Sequence, residues 1–181
     1  MATWNSRGLR GSSFEEMINY TIEDYRTRKL ALIQKVPTPI TPVNIDAESR
    51  HITLAYFDKQ STVDYIGAVQ GIPVCFDAKE CKTDTFPLAN VHEHQVKFMQ
   101  DMEEQDGISF LLIYYTERGE IYYLPYRDLR RFWDRMLQGG RKSFTFDEID
   151  RTYRVALKKE VYVHFLEALQ LDIMSREENI G

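Results

Sequence analysis

Hydrophobic and polar positions follow two different periods along this chain, and each period predicts one kind of element. A capping box at Ser13 and Glu16 precedes apolar residues at helical spacing, which predicts a helix over residues 14–28. Helical spacing also covers 90–105, 127–137 and 161–171. Apolar runs or two-residue alternation predict strands over 30–33, 63–69, 72–79, 108–115 and 121–124. Because helices and strands are interleaved, we expect an α/β fold with a mixed sheet.

One segment breaks both periods. Pro37, Pro39 and Pro42 stand at nearly alternate positions, where they remove backbone donors and favour an extended polyproline conformation. A central strand is therefore excluded there. The segment is either a stiff protruding arm or a surface connection, and residues 43–62 are its candidate returning limb.

Composition narrows the class of protein. The chain has 181 residues, 43% of them hydrophobic and 28% charged, as is typical of one globular domain. No window approaches ~18 consecutive apolar residues, and the N-terminus lacks a secretion signal, so we expect a soluble cytosolic protein without a membrane partner. Cys75 and Cys81 are too few for a disulfide framework. We expect a flexible arm over residues 1–12, one domain over 13–171 and a tail over 172–181.

Charge alone does not favour nucleic-acid binding. The formal net charge is −5, whereas a binder of phosphate usually carries a basic surplus. Residues 118–143 hold seven basic residues against three acidic ones, a local charge of +4. This patch is either a DNA contact or an ordinary solvated helix face.

A pair of acids and a lysine carries the strongest chemical signal. Asp64 lies 13 residues before Asp77, and Lys79 shares a strand face with Asp77. Two adjacent strands can bring both carboxylates to one hard divalent cation, and the ammonium can then orient water or stabilise charge on a phosphate. These groups suit metal-assisted phosphodiester hydrolysis. The alternative is a surface ion pair without function.

Two further polar residues are candidates for the same site. Glu15 opens the first helix and is free to reach a metal, because Glu16 already serves the capping box. Gln95 lies on an apolar helix stripe, where it makes either a core hydrogen bond or a contact to water or phosphate. His92 and His94 diverge on a helix, so we expect no zinc site from them.

Seven motifs occur in an order and spacing that resemble one family, the RecU Holliday-junction resolvases. They are Arg10-Gly11-Ser12-Ser13-Phe14-Glu15-Glu16, Lys35-Val36-Pro37-Thr38-Pro39-Ile40, Ser61-Thr62-Val63-Asp64-Tyr65-x-Gly67, Phe76-Asp77-Ala78-Lys79-Glu80, Phe86-Pro87-Leu88, His92-Glu93-His94-Gln95 and Gly139-Gly140-Arg141-Lys142-Ser143. The resemblance covers roughly residues 7–171. It implies a restriction-endonuclease-like mixed β-sheet flanked by helices, with a protruding proline-rich stalk at about 36–57.

The resemblance also implies an activity and the residues that carry it. The family comprises homodimeric endonucleases that cut four-way DNA junctions with Mg²⁺ or Mn²⁺, and it is associated with RecA regulation. The resemblance implies metal ligands at Asp64, Asp77 and Glu15, a catalytic Lys79 and an accessory Gln95. It implies DNA contacts at Arg10, Lys35, Arg131, Arg141 and Lys142.

The chain departs from the family pattern at a few points. Asp77 stands where the family usually has Glu, Cys81 stands where Thr is common, and the net charge of −5 is unusually acidic. Two alternatives stay open beside a junction resolvase. One is a non-cutting junction- or RecA-binding module of the same fold, and the other is a related nuclease with a different DNA substrate.

Overall fold

A computed structural model describes residues 13–37, 39–57, 62–158 and 162–178. Its α-helices are α1 (Phe14–Thr27), α2 (Glu93–Glu103), α3 (Tyr126–Leu137) and α4 (Leu166–Glu178). Its β-strands are β1 (Ala31–Lys35), β2 (Ile40–Asp46), β3 (His51–Phe57), β4 (Tyr65–Val69), β5 (Ile72–Cys81), β6 (Thr85–Pro87), β7 (Ile108–Tyr115), β8 (Glu120–Pro125), β9 (Ser143–Thr145), β10 (Arg154–Lys158) and β11 (Tyr162–His164). Within these residues, no helix is long and apolar enough to span a bilayer.

Seven strands form one mixed sheet in the order β1-β4-β5-β7-β8-β10-β11. The β5–β7 pair is parallel, and the other neighbouring pairs are antiparallel. The expected α/β fold with a mixed sheet flanked by helices is therefore confirmed.

Helices cover both faces of this sheet, and each face has its own core. Residues of α1 and α4 pack on one face, and residues of α2 and α3 pack on the other. Central strand β7 supplies both cores, because Phe110 and Leu111 project to opposite faces. On the α1 face, stacked rings run across four strands at 4.7, 4.7 and 4.2 Å between neighbouring centroids. The stacked residues are Tyr65, Phe76, Phe110 and Tyr123.

The predicted start of α1 is confirmed. The Ser13 hydroxyl accepts the N–H of Glu16, and the Glu16 carboxylate accepts the N–H of Ser13. The apolar face of the helix is buried, as its spacing predicts. In α2, Gln95 lies on the buried face as predicted, together with Val96 and Met99.

The proline segment forms a hairpin apart from the main sheet. Strands β2 and β3 pair with each other in a separate two-stranded sheet. Nearly all of their described side chains are exposed, which agrees with the exclusion of a central strand. Pro42 lies within β2, so the polyproline conformation does not extend past Pro39.

The C-terminal prediction is wrong. Residues 162–164 form β11, which pairs with β10, and α4 begins at Leu166 and continues to Glu178, into the expected tail. Val163 and Phe165 are buried two positions apart, a strand period that a short apolar run cannot distinguish from helix. A side chain far away in the sequence supports the strand conformation, because the Thr21 hydroxyl accepts the N–H of Val163.

Candidate active site

A tight turn brings the two predicted aspartates together. Gln70 and Gly71 connect β4 to β5 with positive φ angles of 49° and 89°, the conformation of a two-residue hairpin turn. This turn places Tyr65 opposite Phe76 and therefore Asp64 next to Asp77. The Asp64 N–H donates to Asp77 Oδ1 at 2.6 Å.

Asp77 is a fully buried carboxylate with incomplete hydrogen bonding. Its relative exposure is 0%, and among the described residues its Oδ2 atom has no hydrogen-bond partner apart from the nearby Lys79 ammonium. Burial raises the pKa of Asp77 from 3.8 to about 6; the Lys79 ammonium opposes that rise, and the Asp64 carboxylate adds to it. An acid held in this way favours a cationic ligand.

Lys79 is the cation nearest to both acids. Its Nζ lies 3.1 Å from Asp77 Oδ2 and 4.0 Å from Asp64 Oδ2, and its side chain is 17% exposed. The Asp64 side chain is 30% exposed, so the group opens to solvent on that side. The structure thus brings together Asp64, Asp77 and Lys79, as the spacing predicts.

The site lies on the α2 face of the sheet. Cys75 and Cys81, in phase with Asp77 on β5, belong to the core under α2. Gln95 is 6% exposed on α2, and its Oε1 accepts the N–H of His92 at 3.0 Å. Burial lowers the pKa of His94 at the start of α2, with smaller contributions from the charges of His92 and Lys79.

Glu15 forms an ion pair outside the group of Asp64, Asp77 and Lys79. Its carboxylate binds the Lys35 ammonium, and both side chains are nearly half exposed. Among the described residues, no three His, Cys, Asp or Glu side chains form a metal-binding group. Glu15 as a third metal ligand therefore stays a prediction.

The predicted DNA contacts are mostly bound to acids. Arg131 lies 3.4 Å from Asp128, and Arg141 lies 2.7 Å from Glu148. Lys142 is exposed, and Arg10 lies outside the described residues. The remaining arginines of the 118–143 patch also contact carboxylates, as the following pairs show: Arg118–Asp84, Arg127–Asp172, Arg130–Asp134 and Arg135–Glu148. Acids therefore compensate much of the local charge.

Contacts between α1 and the β4–β5 hairpin were not predicted from the sequence. Glu80 Oε1 accepts the N–H of Phe14 at 3.1 Å, which attaches the start of α1 to β5. The Tyr65 hydroxyl donates to Asn19 Oδ1 at 3.2 Å. The only sequence signal for the first contact is the position of Glu80 directly after Lys79.

The residues at this site fit a divalent cation. Asp64 and Asp77 offer the hard oxygen donors that Mg²⁺ and Mn²⁺ prefer, and Asp77 Oδ2 is a buried oxygen with only the Lys79 ammonium beside it among the described residues. They do not indicate zinc: the His92 and His94 rings are stacked side by side, with centroids 5.4 Å apart, rather than converging on a point.

Comparison with known proteins decides the family. The model of the family "Recombination protein U" (RecU) matches residues 9–171. The chain belongs to the RecU family. The resemblance inferred from the seven motifs is therefore confirmed.

Individual RecU proteins are similar over most of their length. The Holliday junction resolvase RecU of Listeria monocytogenes is 44% identical over 146 residues, which cover 78% of this chain and 73% of that protein. The Holliday junction resolvase RecU of Staphylococcus saprophyticus is 38% identical over 177 residues, covering 95% of this chain and 85% of that protein. A solved structure of the Holliday junction resolvase Hjc of Archaeoglobus fulgidus matches 86% of this chain and 99% of its own, with 10% identity and a TM-score of 0.47.

Proposed function

We propose that this RecU-family chain is an endonuclease that resolves four-way DNA junctions by metal-dependent hydrolysis of phosphodiester bonds. The observation that carries the proposal is the fully buried Asp77 carboxylate, which lies beside a second acid, Asp64, and whose Oδ2 faces the Lys79 ammonium at 3.1 Å. A second carboxylate beside a buried one makes ionisation of both costly, and a divalent cation offsets that cost. Catalysis by a bound cation explains why two acids lie together here.

Asp64 and Asp77 are the residues that would hold the cation, Mg²⁺ or its substitute Mn²⁺. A bound divalent cation supplies an activated water and neutralises charge on the phosphate. The Asp64 N–H holds Asp77 Oδ1, and the Lys79 ammonium lies 3.1 Å from Oδ2. The backbone of the hairpin therefore orients the carboxylate before substrate arrives.

Lys79 and Gln95 act on the substrate side of this pair. The Lys79 ammonium lies within 4.0 Å of both carboxylates, where it can orient the attacking water and stabilise charge that develops on the phosphate. Gln95 uses its Oε1 to accept the His92 N–H, which leaves its amide nitrogen as the group that contacts a phosphate oxygen. Both residues have restricted side chains, since both are largely buried.

The remaining family properties are part of the same proposal. A homodimer would match the two-fold symmetry of a four-way junction, and RecA is a candidate partner. Because the proposed substrate is DNA, we expect the protein to act in the cytoplasm. The exposed β2–β3 hairpin is the candidate stalk for the centre of the junction. With a net charge of −5, we expect binding to depend on junction shape more than on non-specific attraction.

The test is strand cleavage of a synthetic four-way junction beside linear duplex of the same sequence. We expect paired nicks in the junction with Mg²⁺ and none with a chelator. Equal cutting of both DNAs would indicate a general nuclease, and junction binding without cutting would indicate a binding module. In the same assay, a chain with a shortened β2–β3 hairpin should lose its preference for the junction over the duplex.

A further inference from the structure

Backbone contacts attach the Glu15–Lys35 ion pair to the strands of the candidate active site. The N–H of Val36, next to Lys35, donates to the carbonyl oxygen of Asp64 at 2.8 Å, and the N–H of Phe14, next to Glu15, donates to Glu80 of β5 at 3.1 Å. Lys35 is paired directly with Tyr65, so both side chains project from the same face of the sheet, the face covered by α1. Tyr65 follows Asp64 in the chain. Glu15 reaches Lys35 from the first turn of α1.

A second contact holds this face of α1 against Tyr65, the residue that follows Asp64. Asn19 lies four residues after Glu15, one turn along the same helix face, and accepts the Tyr65 hydroxyl at 3.2 Å. Burial raises the pKa of Tyr65, and the carboxylates of Glu15, Asp64 and Asp77 raise it further. Tyr65 projects to the α1 face and Asp77 to the α2 face, so Glu15 would reach the aspartates around the start of β4, where Asp64 precedes Tyr65.

The Glu15–Lys35 ion pair is weak enough for another anion to replace Glu15. The side chains of Lys35 and Glu15 are 42% and 48% exposed, and exposed pairs of this kind are weak. Lys35 lies at the end of β1, next to the segment that leads to the β2–β3 hairpin. A DNA phosphodiester carries one negative charge on two non-bridging oxygens, as a carboxylate does, so a phosphate of bound DNA can take the place of Glu15 at the ammonium.

We propose that Lys35 is a positioning residue that couples DNA binding to completion of the metal site. Without DNA, Lys35 holds the Glu15 carboxylate away from the cation. A phosphate of the bound strand takes over the ammonium, and Glu15 then joins Asp64 and Asp77. This inference rests on the proposed function, since it requires a cation at the two aspartates.

The test measures Mn²⁺ binding to the DNA-free protein by electron paramagnetic resonance, so it needs no activity. Four proteins form a cycle: the wild type, Lys35→Met, Glu15→Gln and the double variant. We expect Lys35→Met to bind Mn²⁺ about 2- to 5-fold more tightly than wild type, the scale of a weak surface ion pair. Glu15→Gln alone should change nothing, and in the Lys35→Met background it should remove the gain.

Two controls separate this mechanism from a general effect of charge or folding. Lys82→Met removes a cation from a distant exposed pair with Glu117 and should leave Mn²⁺ affinity unchanged. Lys35→Arg keeps the ion pair and should keep the wild-type affinity. The proposal is overturned if Lys35→Met binds no more tightly, if the gain survives Glu15→Gln, or if Glu15→Gln alone weakens binding.

A second arm tests the role of DNA, with Lys79→Met in every protein to prevent cleavage. Adding the synthetic junction should make Mn²⁺ binding sensitive to Glu15→Gln when Lys35 is present, by a similar factor of about 2- to 5-fold. No sensitivity would overturn the exchange of partners. Failure of the wild type to cut a junction would instead count against the proposed function.

Discussion

Two aspartates among the described residues are fully buried, and their surroundings differ. Asp77 on β5 and Asp172 on α4 both have a relative exposure of 0%. Asp172 accepts the Tyr123 hydroxyl at 2.6 Å and Arg176 at 3.1 and 3.2 Å, and it also binds Arg127. Each of its oxygens has at least two partners.

Asp77 has much less support. Within the described part of the chain, its Oδ1 accepts one backbone N–H and its Oδ2 has one ammonium beside it, at 3.1 Å. A buried carboxylate that joins two elements through complete hydrogen bonding is explained by structure. A buried carboxylate that lies beside a second acid and has few hydrogen bonds is explained by a bound ligand. The comparison therefore separates a structural charge from a functional one.

The largest expected effect is on activity at Asp77. Asp77→Asn keeps the shape of the side chain and removes the charge that holds the cation, so junction cleavage should fall by at least ~10³-fold. Gel-shift affinity for the junction should stay within a few-fold of wild type. Asp172→Asn, assayed at 25 °C, is the matched variant and should cut at close to the wild-type rate. Normal cleavage by Asp77→Asn would exclude the assigned site.

The next effect is on stability at Asp172. Asp172→Asn removes the charge shared by Arg127 and Arg176, and breaking a buried pair on one side costs about 3 kcal/mol. We expect the free energy of unfolding in urea to fall by that amount and Tm to fall by about 6–12 °C. An unchanged Tm would mean that Glu103 suffices to hold Arg176 and that the Tyr153 hydroxyl suffices to hold Arg127.

The sequence predicts Asp77 far better than Asp172 for a physical reason. Asp64 and Asp77 belong to one hairpin, and its two-residue turn alone fixes which residues face each other. Periodicity and turn chemistry are local, so they carry this information. Tyr123 and Arg127 are 49 and 45 residues from Asp172, on different elements. No local pattern connects them, and the segment that carries Asp172 was expected to be a tail.

The same distinction explains the other outcomes. The capping box and the strand at Ile108–Tyr115 depend on neighbouring residues and follow from the sequence. The ion pair between Glu15 and Lys35 joins residues 20 positions apart, and its existence depends on how α1 packs on the sheet. The residues of the site could thus be named from the sequence, whereas the partner of Glu15 could not.

The smallest expected effect is on stability at Asp77, and it has the opposite sign to the effect at Asp172. Asp77→Asn should stabilise the protein, whereas Asp172→Asn should destabilise it. Burial raises the pKa of Asp77 to about 6, so the folded state binds this proton more tightly than the unfolded state does. The contribution to stability is fully present below about pH 4 and is lost as pH rises through 6. In chelator at pH 7, the asparagine substitution should therefore raise the free energy of unfolding by about 1–2 kcal/mol.

The pH dependence of this difference distinguishes it from improved packing. Urea unfolding in chelator should show the gain at pH 7 and little difference at pH 4, where Asp77 of the wild type is itself protonated. A gain of equal size at both pH values would show that charge is not its cause. A loss at pH 7 would mean that the ion pair with Lys79 outweighs the burial of Asp77. In that case Asp77 would resemble Asp172, and incomplete hydrogen bonding would not identify it as the functional aspartate.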